Sequence, residues 1–217
     1  MMQRAHINIT NNYIDSILPP SEPWQESLES YAKTYRVPII DRPTRTVLSQ
    51  LVTLHQPATI LEIGTAIGYS ALCMHHACPS ATIVTLEKDE TMIDVAKKNI
   101  AQYSKGNRIQ ILQGDAVDRL EELMEKKDPF DFVFIDAAKS QYETYMARVA
   151  PLLKKGSVVV ADNVLFRGYV SGAEEVPRRY RTMIKRLKAF NKQMLQDPAY
   201  RSSLIPVGDG LIVSIKV

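Results

Sequence analysis

Cysteine is scarce in this chain: Cys73 and Cys78 are the two in 217 residues. One close pair with no second pair makes neither a zinc ribbon nor a disulfide framework, so both are expected to be buried thiols of a cytosolic protein. Long apolar runs are missing as well. No stretch is long enough to span a bilayer. The first twenty residues carry Asn8, Asn11, Asn12 and Asp15 among their apolar positions, so no continuous signal-type apolar run appears there. A cytoplasmic protein with no membrane partner is expected. Charge of one sign is not in strong excess: the formal net charge of +3 is too small to prove a nucleic-acid partner, and its distribution matters more. His6, His55, His75 and His76 form no ligand pattern. The dinucleotide fingerprint G-x-G-x-x-G is also absent. Laid on Gly64 it needs glycines where Ala66 and Tyr69 stand, which disfavours a nicotinamide dehydrogenase.

What is present suits one soluble α/β domain with a full core, since 45% of the residues are hydrophobic and 24% charged. Residues 1–56 read as a helical extension and 57–217 as a nucleotide-fold core. In the extension, Asn11–Leu18 has helical spacing and stops at Pro19-Pro20. Ser21 is the expected cap of a second helix through Leu28, Tyr31 and Ala32. Val37-Pro38-Ile39-Ile40 is extended, because proline biases the preceding residue away from helix. A third helix starts at Asp41 to Pro43, with Val47, Leu48, Leu51, Val52 and Leu54 inward.

Beyond Pro57 strands and helices alternate. Strands are predicted at Thr59–Ile63, Thr82–Leu86, Ile109–Leu112, Phe132–Ile135, Ser157–Ala161, Ser203–Pro206 and Leu211–Ile215. Helices fit at Glu90–Tyr103, Ala116–Glu125 and Ser140–Leu153. Repeated βα units imply a Rossmann-like parallel sheet covered on both faces. The last two strands are separated by Val207-Gly208-Asp209-Gly210, a turn that makes an antiparallel hairpin.

The chain is organised around Ala58–Ser70, a strand that runs into the turn Gly64-Thr65-Ala66-Ile67-Gly68 and then a helix start. In an open α/β sheet this is where a nucleotide-like ligand binds. Glu87 ends the second strand about twenty residues on, where a carboxylate can accept from a ribose diol or simply be solvated. Asp115, after the third strand, suits a helix cap, ligand contact or both. Ser70, at a helix start, is placed to hold a carboxylate with the backbone amides. Two further strand ends deliver Asp136, followed by Lys139, and the pair Asp162-Asn163. Two carboxylates and an amide oxygen suit a hard cation such as Mg²⁺, and no Cys or His nearby suggests zinc.

Together, Glu62-Ile63-Gly64, Gly68-Tyr69-Ser70, Asp136-Ala137-Ala138-Lys139 and Asp162-Asn163 resemble the metal-dependent, S-adenosylmethionine (SAM) O-methyltransferases of the catechol and caffeoyl-CoA group. The resemblance implies a seven-stranded sheet with an antiparallel end. It implies Asp136, Asp162 and Asn163 as metal ligands, and Lys139 as base or orienting cation beside Asp136. It also implies SAM contacts at Ile40, Glu62, Gly64, Ser70, Glu87, Asp115, Ala116 and Asp136. Within the group, Val37-Pro38-Ile39, Asp162-Asn163-Val164-Leu165-Phe166 and Pro206-Val207-Gly208-Asp209-Gly210-Leu211 are closer to the bacterial tRNA 5-hydroxyuridine methyltransferases. Ser140 and Arg167 depart from that pattern, where Gly and Lys are usual. This likeness implies methylation of the wobble 5-hydroxyuridine of tRNA, and a homodimer with the helical N-terminus as candidate contact. A small catechol or hydroxycinnamoyl acceptor is the alternative, and a vestigial RNA-binding protein a third reading.

One feature independent of the resemblance bears on the substrate. Arg178, Arg179, Arg181, Lys185, Arg186, Lys188 and Lys192 lie between Val176 and Gln196 with no acid, opposite an apolar stripe of Tyr180, Met183, Ile184, Leu187 and Met194. Such a basic amphipathic helix is either a solvated face or a phosphate-contacting surface. Glu174-Glu175 are expected at its start, favouring the helix dipole. Asn163–Gly172 reads as a loop over the site, with Phe166 or Tyr169 available to stack on a base, pack in the core or meet a partner, and Arg167 near a phosphate. Tyr142 either lines the pocket or lies in the core.

Overall fold

A computed structural model describes residues 12–126 and 128–217. His6 and the helix start at Asn11 lie outside the described residues; residues 12–17 are helical. The helices that follow are α1 (Pro23–Tyr35), α2 (Arg42–His55), α3 (Tyr69–Ala77), α4 (Glu90–Tyr103), α5 (Ala116–Lys126), α6 (Tyr142–Val149) and α7 (Arg181–Gln196). The strands are β1 (Thr59–Ile63), β2 (Thr82–Glu87), β3 (Ile109–Gln113), β4 (Phe130–Ile135), β5 (Leu153–Ala161), β6 (Tyr200–Ile205) and β7 (Leu211–Lys216).

They form one seven-stranded sheet in the order β3-β2-β1-β4-β5-β7-β6. The first five strands are parallel; β7 runs antiparallel to both β5 and β6. Alternation along the central strands divides the core between the two faces. Leu61, Val133, Ile135 and Val159 pack with Leu120, Tyr145 and Phe190 of α5, α6 and α7. Ile60, Phe132, Phe134 and Val160 pack with Leu28, Leu48 and Leu72 of α1, α2 and α3. All six residues of β4 are therefore buried. Register places Ile63 beside Ile135 and Ile135 beside Ala161, so three chain segments leave the sheet at one edge. The strand order reverses at β1 and β4, the place where open α/β sheets bind ligands.

The opposite edge is held by Asp131. Its carboxylate accepts from the backbone N–H groups of Ala58 (2.9 Å) and Thr59 (3.1 Å) and pairs with Lys154 Nζ at 2.5 Å. Among the described residues no helix is long and apolar enough to cross a membrane.

Several sequence expectations are corrected. The cap of α1 is Glu22, whose backbone N–H donates to the Gln25 side chain at 2.9 Å. Ser21 instead donates to Glu29 and accepts from Arg45. Leu54 is 82% exposed, because α2 turns it away from the sheet. The predicted helix ending at Leu153 stops at Val149 and passes through a 3-10 turn, and Leu153 already belongs to β5. Pro206 lies outside β6. Cys78 follows α3 as its C-cap, and both thiols are buried and free. The basic helix is not continuous from Val176: Arg178–Tyr180 form a 3-10 turn after Pro177, and α7 starts at Arg181. Glu174 and Glu175 consequently precede Pro177 and sit outside its first turn.

Candidate active site

The turn after β1 is tight. Gly64 has φ +103°, Ala66 +45° and Gly68 +83°. The Gly64 N–H donates to the Leu86 carbonyl at 3.0 Å and the Gly68 N–H to Thr65 at 2.8 Å. Glu87 braces the turn from β2, accepting from the Ala66 N–H at 2.9 Å through one oxygen and from Lys88 and Asp89 through the other. The turn opens onto a cavity of about 650 Å³ at the carboxyl edge of the sheet.

Of the residues expected to meet a cofactor, Ile40, Gly64, Ser70, Glu87, Asp115, Ala116 and Asp136 all line this cavity. Asp115 also accepts from the Val117 N–H, so the capping and lining roles coincide. Glu62 lies behind the wall. It is fully buried and accepts from Ser70 Oγ and Thr85 Oγ1, each at 2.5 Å. Burial pushes its carboxyl up to about 8, against the two hydroxyl donors that pull it down. Glu62 therefore braces the turn, and the Ser70 hydroxyl proton is directed to Glu62. An anion in the cavity would meet the backbone amides at the start of α3.

Across the cavity, Lys139 Nζ stands 2.8 Å from Asp136 Oδ1. Asp162, 2% exposed, accepts from the Asn163 N–H at 2.6 Å and forms no ion pair among the described residues. Burial, then the neighbouring Asp136, raise its carboxyl well above the usual range. A second cation at this edge would relieve that unfavourable proximity. Asp136, Asp162 and Asn163 all line the cavity, and Asn163 holds a left-handed backbone at φ +55°. No group of three His, Cys, Asp or Glu side chains suited to a metal occurs among the described residues. A hard cation would thus draw on the Asn163 amide and on water or substrate oxygens besides the two carboxylates, and the donor chemistry fits Mg²⁺.

Phe166 and Arg167 cover the site, both lining the cavity and both left-handed, at φ +35° and +55°. Tyr169 packs on Phe166 and Tyr180 and does not line the cavity. Arg178, Arg179, Arg181 and Lys185 are exposed and lie outside the lining. Tyr142 is a core residue whose hydroxyl donates to the Asp162 carbonyl at 2.9 Å. The sequence reading missed Asp41, Tyr145 and Asp209 as lining residues. The signal for Asp209 lay in the turn already singled out: its carboxylate accepts from the Arg167 N–H at 3.2 Å.

Comparison with known proteins places the family and the fold. A family model described as O-methyltransferase matches residues 26–217. The chain belongs to the O-methyltransferase family. A catechol O-methyltransferase of Niastella koreensis is 37% identical over 157 residues, 69% of this chain and 71% of its own length. A caffeoyl-CoA O-methyltransferase of Populus kitakamiensis is 32% identical over 169 residues, 76% and 72% of the two chains. Among solved structures, the O-methyltransferase TomG of Streptomyces achromogenes, in complex with SAM, superposes with a TM-score of 0.83 at 25% identity over 100% of both chains. The sheet order and the C-terminal hairpin are thus those of the methyltransferase fold.

Proposed function

We propose that this O-methyltransferase transfers the methyl group of SAM to one oxygen of a small acceptor carrying two vicinal oxygens, of the catechol or hydroxycinnamoyl class. The observation that carries the reading is the meeting of Asp136, Lys139, Asp162 and Asn163 at one cavity with the Gly64–Gly68 turn. The relatives named for catechol and caffeoyl-CoA support the acceptor class, and the SAM complex of TomG supports the cofactor.

In this reaction the acceptor hydroxyl loses its proton, the oxygen bonds to the methyl carbon, and the carbon–sulfur bond breaks to leave S-adenosylhomocysteine. Mg²⁺ held by Asp136, Asp162 and Asn163 would supply charge for the oxyanion and orientation for the vicinal oxygens. Lys139, fixed by Asp136, stands at the same wall: as an ammonium it would stabilise negative charge on oxygen, and only as a neutral amine released from that pair would it take the proton. Glu87 would receive the ribose hydroxyls of bound SAM, Asp115 and Ala116 would flank its base, and the α3 amides would receive its methionine carboxylate. Phe166 and Arg167 exclude water above the acceptor.

A second reading, methylation of tRNA 5-hydroxyuridine, is favoured by one observation. The cations of α7 and its preceding turn are exposed, and Arg178, Lys185, Lys188 and Lys192 form no ion pair among the described residues. The 5-hydroxyl and 4-oxo oxygens of that base are also vicinal.

The test is mass spectrometry after incubation with SAM and Mg²⁺, using a simple catechol in one arm and tRNA rich in 5-hydroxyuridine in the other, with EDTA controls. A methylated catechol, lost with EDTA, supports the first reading. 5-Methoxyuridine alone transfers the assignment to tRNA, with steep salt dependence expected.

A further inference from the structure

Arg45 stands at an inward position of α2, on the same stripe as Leu48 and Val52. A cation buried there is costly unless it is paired and hydrogen-bonded. Its guanidinium is paired three ways. Nη1 lies 2.6 Å from Glu29 Oε1, 2.9 Å from the Tyr69 hydroxyl and 3.0 Å from Ser21 Oγ. The Tyr69 hydroxyl donates in turn to Glu29 Oε1 at 2.5 Å. Arg45 is 7% exposed and Tyr69 2%. Burial pushes the Tyr69 phenol up, so it remains a donor at any ordinary pH.

The cluster ties together three elements: Glu29 of α1, Arg45 of α2 and Tyr69 at the first position of α3. It also stands between two cavities. Tyr69 lines the cavity of the candidate active site. Arg45 lines a second one, of about 600 Å³, together with Trp24 and Cys73. Both walls of the cofactor half of the active-site cavity adjoin it. The chain joining α1 to α2 supplies Val37, Ile39, Ile40 and Asp41 to one wall. Tyr69 follows Gly68 directly and opens α3, whose first turn carries free amides at the other. Among the described residues the Asp136–Lys139 wall makes no hydrogen bond with the cluster.

We infer that Arg45, Glu29 and Tyr69 are positioning residues that set the cofactor half of the cavity, so that cofactor affinity depends on them while the methyl-transfer step does not. The inference rests on the proposal that SAM binds in this cavity. A buried polar cluster of this kind adds geometry more than stability: an apolar set of equal volume would stabilise the packing as well, without fixing the helix start.

The test uses the full chain and S-adenosylhomocysteine as probe, by isothermal titration calorimetry, with steady-state kinetics on the acceptor that the wild type methylates. Tyr69→Phe keeps the ring and removes the hydroxyl. About a tenfold rise in dissociation constant is expected, in line with loss of a buried hydrogen bond to a charged group. The KM for SAM should rise in parallel, with kcat at saturating SAM held within about twofold and the acceptor KM unchanged. Glu29→Gln preserves size and carries the same expectation, which keeps the inference testable if the Tyr69→Phe chain does not fold. A lowered melting temperature with unchanged affinity and KM overturns the inference, as does a fall in kcat alone. Failure of the wild type to bind the probe is a distinct result: it overturns the cofactor reading and the inference together.

Discussion

The Asp136 carbonyl oxygen occupies the space that a Cβ on Gly64 would need, well inside van der Waals contact. Two loops from adjacent strands, one carrying the turn at the proposed cofactor site and one the candidate metal ligand, are thereby packed backbone to backbone. Gly64 also has φ +103°, which an L side chain rarely adopts.

Gly64→Ala should therefore act on both stability and chemistry. Overpacking plus backbone strain should cost about 3 kcal/mol or more. For a chain of this size that lowers the melting temperature by roughly 6–12 °C. Displacement of Asp136 should remove most activity even in the folded fraction. Calorimetry and turnover at a temperature well below the transition separate the two effects. Unchanged turnover there would show that the Asp136 loop does not depend on this contact.

Glu62 makes stability depend on pH in an unusual direction. Its folded carboxyl titrates near 8 rather than at the ordinary 4.5. Between those values the unfolded chain is ionised and the folded one protonated, so folding takes up a proton. The stability that Glu62 contributes is present below about 4.5, falls as pH rises to about 8, and is constant above that. Glu62→Gln should remove this slope, gaining on the wild type by up to a few kcal/mol above pH 8 in cofactor-free protein. Parallel melting profiles of the two proteins from pH 5 to 9 would contradict the account.

Asp131 works in the opposite sense. Burial alone would raise its carboxyl, but Lys154 and the Thr59 and Ala58 N–H groups bring it below its usual value. Its contribution is present above the unfolded value of about 3.8 and is lost as pH falls through the lower folded value. Asp131→Asn should cost about 1–3 kcal/mol at neutral pH. The difference from the wild type should shrink in acid, as urea titrations at pH 7 and pH 3 would show.

Asp209 holds the loop above the site. Its carbonyl accepts from the Leu165 N–H at 2.8 Å and its carboxylate from Arg167. Between these contacts and Asn163 the backbone is left-handed at three non-glycine positions, a conformation that needs support. Asp209→Ala should relax Phe166 and Arg167, raising the acceptor KM by roughly tenfold while leaving cofactor affinity unchanged. A change confined to cofactor binding would place the role of Asp209 elsewhere.

The sheet was legible because its strands are short apolar runs bounded by turn residues. Thr59–Ile63 and Glu90–Tyr103 have the predicted bounds. The edges were less legible where exposure interrupts the pattern: β5 begins Leu153-Lys154-Lys155-Gly156, and its three exposed residues conceal four residues of strand. Ser21 illustrates a different limit. Its identity suits a cap, but Glu29 and Arg45 draw its hydroxyl away.

The sequence by itself determined the strand–turn–helix around Gly64, the order of the βα units, the C-terminal hairpin, and the delivery of Asp136, Lys139, Asp162 and Asn163 to one sheet edge. These follow from periodicity and from the fixed side on which parallel strands end. Only the tertiary structure decided that Arg45 is buried, since its partners lie 16 and 24 residues away on other helices. Only it placed Asp41 and Asp209 in the cavity wall, and showed the Asp162 carboxyl raised beside Asp136. Local pattern records which face of an element is apolar. Which charged groups meet across elements depends on desolvation and packing that no single segment encodes.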